Sequence, residues 1–202
     1  MAKRLEFKQM PLPPDGRLDY LDQAFSTSCA DRLFEVLNKE LDWAERSILL
    51  FGRQVRQPRL VAFHGDPGLT YRYSGKSLVA TGWTESLEEV HQQLSTLIGE
   101  CFNSVLCNLY RNGADSMGWH ADNESELGSQ PLIASVSLGA ERRFVLKRRR
   151  DGAKREIVPG HGSLLVMRGQ VQQHWLHQVP RTRKAVGARI NLTFRQILDH
   201  RR

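Results

Sequence analysis

Apolar positions in this chain follow two different periods. Behind Ser26-Thr27-Ser28, which can cap a helix, Leu33, Phe34, Leu37 and Leu41 recur at helical spacing and predict an amphipathic helix over about 28–42. Leu87, Val90, His91, Leu94, Leu97, Ile98 and Cys101 repeat that period. They follow Ser86-Leu87-Glu88-Glu89, a fit to a capping box, and predict a second helix over about 85–102. Between the two, Leu69-Thr70-Tyr71-Arg72-Tyr73-Ser74 alternates like a strand, with Tyr71 and Tyr73 on one face. From Val105 onward short alternating runs dominate: strands are expected near 132–138, 142–148, 154–158 and 162–167, and a last one over about 187–195. The turn Arg150-Asp151-Gly152 makes the middle pair a hairpin. Residues 1–20 look irregular, with Pro11-Leu12-Pro13-Pro14-Asp15-Gly16 as an extended arm. Many short strands after two helices predict an α+β, mainly β, fold: two packed sheets with helices on one side.

Composition narrows the class. At 202 residues the chain is the size of one domain, and 40% hydrophobic with 25% charged residues is ordinary for a globular protein. No apolar run reaches membrane-spanning length, and Met1-Ala2-Lys3-Arg4-Leu5-Glu6-Phe7 has no apolar core of a secretory signal. The expected setting is therefore the cytoplasm of a bacterium or the nucleus of a eukaryote, without a membrane partner. Cys29, Cys101 and Cys107 are odd in number, lack a Cys-x-x-Cys pair, and read as reduced thiols in the core. The net charge of +7 favours a polyanionic partner such as nucleic acid, simple solubility being the plain alternative.

The chemistry concentrates in Trp119-His120-Ala121-Asp122. In an extended segment His120 and Asp122 leave the same face and converge on one point. His177 offers a third ligand, with His174 as its rival; in an extended segment those two point to opposite faces. Two His and one carboxylate with open opposite positions is the ligand set of non-haem Fe(II) oxygenases. Downstream, Arg189, Asn191, Thr193 and Arg195 share one strand face, and Ile190, Leu192 and Phe194 the other. Two guanidinium groups beside a metal suit a small dicarboxylate, while the bland alternative is a solvated charged face. Near residue 50, Ile48-Leu49-Leu50-Phe51-Gly52 runs into a Phe-Gly turn, which reads as a strand hairpin with an apolar tip or as a buried strand end. Arg53, Arg56 and Arg59 follow as phosphate contacts beside such a tip or as a solvated charged face. Lys147, Arg148, Arg149, Arg150, Lys154 and Arg155 straddle the predicted hairpin turn and repel one another unless an anion is bound; they read as a solvated turn or as a grip on a DNA strand. His91 and His161 read as packing or structural residues.

The order of these motifs resembles the AlkB family of Fe(II)/2-oxoglutarate-dependent nucleic-acid dealkylases, closest to its duplex-DNA-repairing branch. The resemblance rests on Asn108-x-Tyr110, His120-x-Asp122-x-Glu124, Ile133-Ala134-Ser135-Val136-Ser137, His161-Gly162-Ser163-Leu164-Leu165, His174-Trp175-x-His177 and Arg189-x-Asn191-Leu192-Thr193-Phe194-Arg195, and upstream on Gly65-Asp66-x-Gly68-Leu69-Thr70-Tyr71-x-Tyr73-Ser74-Gly75. It covers the chain from about residue 45 to the end.

The resemblance implies a double-stranded β-helix, or jelly-roll, over about 105–202. Before it, about 1–104 would supply an N-terminal extension, helices and a nucleotide-recognition lid, all within one dioxygenase domain. It implies Fe(II) on His120, Asp122 and His177, the ligand preceding Gln178-Val179-Pro180. Arg189 would take the far carboxylate of 2-oxoglutarate with Asn108 and Tyr110 assisting, Arg195 would lie at its other end, and Asn191 and Thr193 would complete that wall. Phe51 would wedge into the base stack, Tyr73 would stack on a flipped base with Tyr71 near it, and Glu124 would meet an exocyclic amine. Arg59, Arg148, Arg149 and Arg150 would hold the DNA. The implied reaction demethylates 1-methyladenine, 3-methylcytosine or etheno adducts in duplex DNA. It consumes O₂ and 2-oxoglutarate, releases succinate, CO₂ and aldehyde, and is run by a monomer. An oxygenase acting on RNA or on a protein side chain, and a binder with a degenerate metal site, are the competing readings.

Overall fold

The computed structural model describes residues 6–50, 53–73 and 76–198. Its strands are β1 (Lys8–Leu12), β2 (Gly16–Leu21), β3 (Ala44–Leu50), β4 (Arg53–Gly65), β5 (Thr70–Tyr73), β6 (Lys76–Val79), β7 (Ser104–Tyr110), β8 (Met117–His120), β9 (Ile133–Gly139), β10 (Phe144–Arg148), β11 (Lys154–Ile157), β12 (Ser163–Gly169), β13 (Trp175–Val179) and β14 (Arg189–Arg195). The helices are α1 (Thr27–Glu40), α2 (Glu85–Ile98) and the single turn α3 (Val171–His174). Among the described residues a major sheet runs β1-β2-β12-β9-β14-β7-β4-β3, a minor sheet runs β11-β10-β13-β8, and β5 pairs with β6. The two facing sheets form the jelly-roll, with α1 and α2 on the outer face of the major sheet.

Two apolar layers follow from strand alternation. Ile190, Leu192 and Phe194 of β14 join Leu33 and Leu37 of α1 and Leu87, Val90 and Leu94 of α2. The opposite face of the major sheet packs Leu106 and Leu165 against Leu146 and Trp175 of the minor sheet. Gly139 closes β9 with φ 85°, and a Cβ there would lie 2.5 Å from the Ala188 carbonyl oxygen and 2.7 Å from the Phe34 ring, so only glycine fits beneath α1.

Several expectations needed correction. The N-terminal stretch is a hairpin: β1 pairs with β2, and β2 pairs with β12. Pro11 is accommodated because β1 is the outermost strand, where a missing N–H breaks no ladder. The cap of α2 is Thr84, whose hydroxyl accepts the Leu87 N–H, while Ser86 is buried inside the helix. That helix stops at Ile98 because Gly99 adopts the left-handed conformation, φ 76°. Of the cysteines, Cys107 alone is in the core; Cys29 is half-buried and Cys101 exposed.

Candidate metal and co-substrate site

β8 and β13 lie side by side with His120 directly opposite His177, their rings 4.2 Å apart and edge to face. The Nδ1 of His120 is engaged by the Gly118 carbonyl at 2.8 Å, which fixes the ring and leaves Nε2 to face inward. Asp122 follows in an irregular segment, 2% exposed. One ligand atom each from His120, Asp122 and His177 lies within 4.8 Å of the others, a group that could hold a metal ion. Burial would raise the Asp122 pKa, but Arg195, His177 and His120 outweigh it and bring it down to about 2. Burial, with the neighbouring His120, draws His177 down to about 3. At neutral pH the cluster thus presents a carboxylate and imidazole lone pairs, the protonation states a divalent metal needs.

His174 is not part of this cluster. It ends the turn of α3 and its Nε2 meets the Gln170 side-chain oxygen at 2.9 Å, whereas His177 lies on β13 and points between the sheets. The two histidines diverge because one closes a helical turn, not because an extended segment alternates. His161 ties β9 to α1: its Nδ1 accepts the Gly139 N–H at 2.7 Å, and its Nε2 lies 3.1 Å from Asp31. His91 stacks on Trp83.

The wall behind the cluster is the polar face of β14. Arg189, Asn191, Thr193 and Arg195 are all buried, which excludes a solvated charged face. Arg189 donates through Nη2 to the Ser137 hydroxyl at 2.8 Å and lies 5.4 Å above the Tyr110 ring. Its Nε and Nη1, also buried, have no hydrogen-bond acceptor among the described residues. Burial pulls its pKa down to about 10, so it remains charged at neutral pH. A buried guanidinium with two open donors is a site for a carboxylate. Asn191 donates to the Ser135 hydroxyl, and Thr193 donates to the Asn191 side-chain oxygen. Arg195 donates through Nη2 to Asp122 at 2.9 Å, which places its guanidinium against a candidate metal ligand. Asn108, Tyr110, His120, Asp122, Asn191 and Arg195 line one cleft.

Other expected contacts moved. Arg59 is 3% exposed, and its Nε donates to the Asn108 side chain at 2.7 Å. β4 turns it into the interior, where it holds the cleft wall and cannot reach a surface phosphate. Tyr71 is fully buried, stacked on Phe63 at 5.7 Å, under the Arg195 guanidinium and beside Glu124. It forms wall and offers no open face to a base. Burial and the nearby Asp122 charge raise the half-buried Glu124 above the usual carboxylate range. Arg148 donates to Asp151 at 2.9 Å and lies over Trp175, and Lys147 lies over Trp119, so the hairpin tip neutralises part of its own charge. Arg149, Arg150, Lys154 and Arg155 remain exposed. β3 and β4 form the expected hairpin with Leu50 opposite Arg53. Phe51 and the side chain of Tyr73 lie outside the described residues.

Two residues escaped the sequence reading. Arg142, 3% exposed, donates to the carbonyls of Asn112, Asp115 and Pro180 and joins three loops beside Tyr110. Gln172 accepts the Asp122 backbone N–H. Neither belongs to a pattern in its own segment, so no local signal marked them.

Comparison with known proteins agrees with this geometry. The model of the 2OG-Fe(II) oxygenase superfamily matches residues 17–195. The mouse (Mus musculus) DNA oxidative demethylase ALKBH2 is 38% identical over 185 residues, covering 86% of this chain and 77% of the relative. Human (Homo sapiens) ALKBH2 is 40% identical over 185 residues, covering 86% and 71%. The bovine (Bos taurus) alpha-ketoglutarate-dependent dioxygenase alkB homolog 3 is 39% identical over 178 residues, covering 83% and 62%. Among solved structures, that of OsALKBH1 superposes with a TM-score of 0.66 at 15% identity, covering 94% of this chain and 100% of that one, a likeness of fold. A paired His-Asp-His cluster, a buried arginine awaiting a carboxylate and these matches lead to one conclusion: the chain belongs to the AlkB family of the 2OG-Fe(II) oxygenase superfamily, enzymes that work with Fe(II), 2-oxoglutarate and O₂.

Proposed function

We propose that this enzyme oxidatively removes N-alkyl groups from DNA bases, taking its substrate from duplex DNA by base flipping. The observation that carries the reading is Arg189, a buried cation with two open donors, set in the same strand face as the arginine that grips Asp122. Support for DNA comes from the relatives named DNA oxidative demethylase and from the exposed cations at the β10–β11 tip.

In this reading His120, Asp122 and His177 hold Fe(II), and Arg189 receives the far carboxylate of 2-oxoglutarate while Tyr110 packs beneath it. Asn108, itself held by Arg59, and Asn191 with Thr193 shape the wall that the co-substrate lies against. Bound Fe(II) supplies the oxidising chemistry that hydroxylates the N-alkyl carbon at the expense of 2-oxoglutarate and O₂. The hydroxylated product is a hemiaminal and collapses to aldehyde and free base, so the chain needs no nucleophile. It does need an extruded base, because the target atom lies inside the stack. Glu124, at the edge of the metal site, accepts from an exocyclic amine of that base, while Phe51 fills the gap and Tyr73 stacks on the extruded ring. Arg149, Arg150 and Arg155 hold the backbone. The lesions expected are 1-methyladenine, 3-methylcytosine and etheno adducts.

The test is succinate release with methylated duplex, methylated single strand and methylated RNA measured side by side. Duplex DNA is expected to be the best substrate. Turnover of RNA alone, or of none of the three, overturns the proposal.

A further inference from the structure

We propose that Gln172 is a positioning residue for the metal site, holding the main chain of Asp122 in place through its side-chain carbonyl. The inference rests on the reading that His120, Asp122 and His177 hold Fe(II). Asp122 lies beyond the end of β8, where no strand ladder takes up its backbone N–H. That N–H donates to Oε1 of Gln172 at 3.0 Å, across 50 residues of chain. Gln172 is 1% exposed, and its Nε2 faces the Met167 sulfur at 3.3 Å. The orientation of the amide is therefore determined: only its oxygen can accept from a backbone N–H, and the other orientation would set two donors against each other in a dry site.

The placement gives the contact its purpose. Gln170, Gln172, Gln173 and His174 are four polar residues around one turn, yet only Gln172 is buried. Gln173 reaches the Ser129 carbonyl and His174 bonds back to Gln170. Val171, 1% exposed, anchors the turn. Five residues after Gln172 the chain reaches His177, so α3 links the strand of one candidate ligand to the backbone of another. Arg195 grips the Asp122 carboxylate. Carboxylate and main chain are thus held by two separate contacts. Partners of this outer layer, when removed, lower metal affinity or activity by about 10–100-fold.

The test is Mn(II) affinity of the full-length metal-free protein, read by loss of the free-ion electron paramagnetic resonance signal, alongside melting temperature. Gln172→Leu, of similar volume and without the acceptor, is expected to weaken Mn(II) binding by about 10–100-fold. Gln172→Glu keeps an oxygen on the Asp122 N–H and is expected to recover most of that loss. Val171→Ala loosens the same turn without touching the amide and is expected to lower the melting temperature while leaving Mn(II) affinity near wild type. The proposal fails if Gln172→Leu binds Mn(II) like wild type, if Gln172→Glu is as weak as Gln172→Leu, or if Val171→Ala weakens binding equally. It fails too if Gln172→Glu does not fold even with Mn(II) present while Val171→Ala does. Wild type and Asp122→Ala separate this from the underlying reading: absence of Mn(II) binding by wild type removes the metal site itself, whereas tight binding lost in Asp122→Ala but kept in Gln172→Leu removes only the role of Gln172.

Discussion

The two faces of β14 are made from seven consecutive residues, and all seven are buried. One face, Ile190, Leu192 and Phe194, is covered by the helices and needs nothing more. The other, Arg189, Asn191, Thr193 and Arg195, is covered by the minor sheet. It carries two buried cations, only one of which has a carboxylate partner, Asp122, among the described residues. Burial by itself therefore says little about role. An apolar face under helices is complete as folded, whereas a polar face with an unpaired Arg189 is complete only with a ligand. Substitutions on the first should cost stability, and those on the second should cost function.

The largest effect is expected opposite the polar face. His177→Ala should abolish succinate release with the fold retained in circular dichroism, while His174→Ala should keep turnover. The reverse pattern would transfer the third ligand position to His174. Next is Arg189→Ala, which should weaken 2-oxoglutarate by about 2–5 kcal/mol, because a buried carboxylate loses its charged partner. Its melting temperature without co-substrate should stay near wild type, and added 2-oxoglutarate should stabilise it less than wild type. An unchanged 2-oxoglutarate requirement removes Arg189 from the site. On the apolar face, Leu192→Ala should cost about 2–5 kcal/mol of unfolding free energy, with kcat/KM per folded molecule preserved. A selective rise in the KM for 2-oxoglutarate there would break the contrast between the faces.

Outside both faces, Phe51→Ala should slow repair of duplex lesions by roughly tenfold to a hundredfold, since base–aromatic stacking is worth about 1–3 kcal/mol. Single-stranded substrate and melting temperature should change little. Equal losses on both substrates would make Phe51 a general binding or core residue.

Alternation and motif order made much of this legible beforehand. The two helices, the β10–β11 hairpin and the split of β14 into polar and apolar faces all follow from local period, because each element buries one side. His120-x-Asp122 was visible because both residues sit within one short stretch. Where the polar side chains of β4 and β5 end up was not legible: Arg59 looked like one of three surface cations, and Tyr71 like the partner of Tyr73. Both are buried because β4 lies inside the major sheet and Tyr71 packs against Phe63.

The chain by itself determined which residues could serve chemistry, since residue type and spacing limit what can ligate a metal or pair with a carboxylate. The tertiary structure decided how they are shared out. It opposed His120 to His177 by strand register and turned His174 away at the end of a helical turn. It gave Arg195 to Asp122 while leaving two Arg189 donors open, and it brought Gln172 to the Asp122 backbone. Those outcomes depend on strand pairing and packing between segments far apart in the chain, and local spacing carries no information about them.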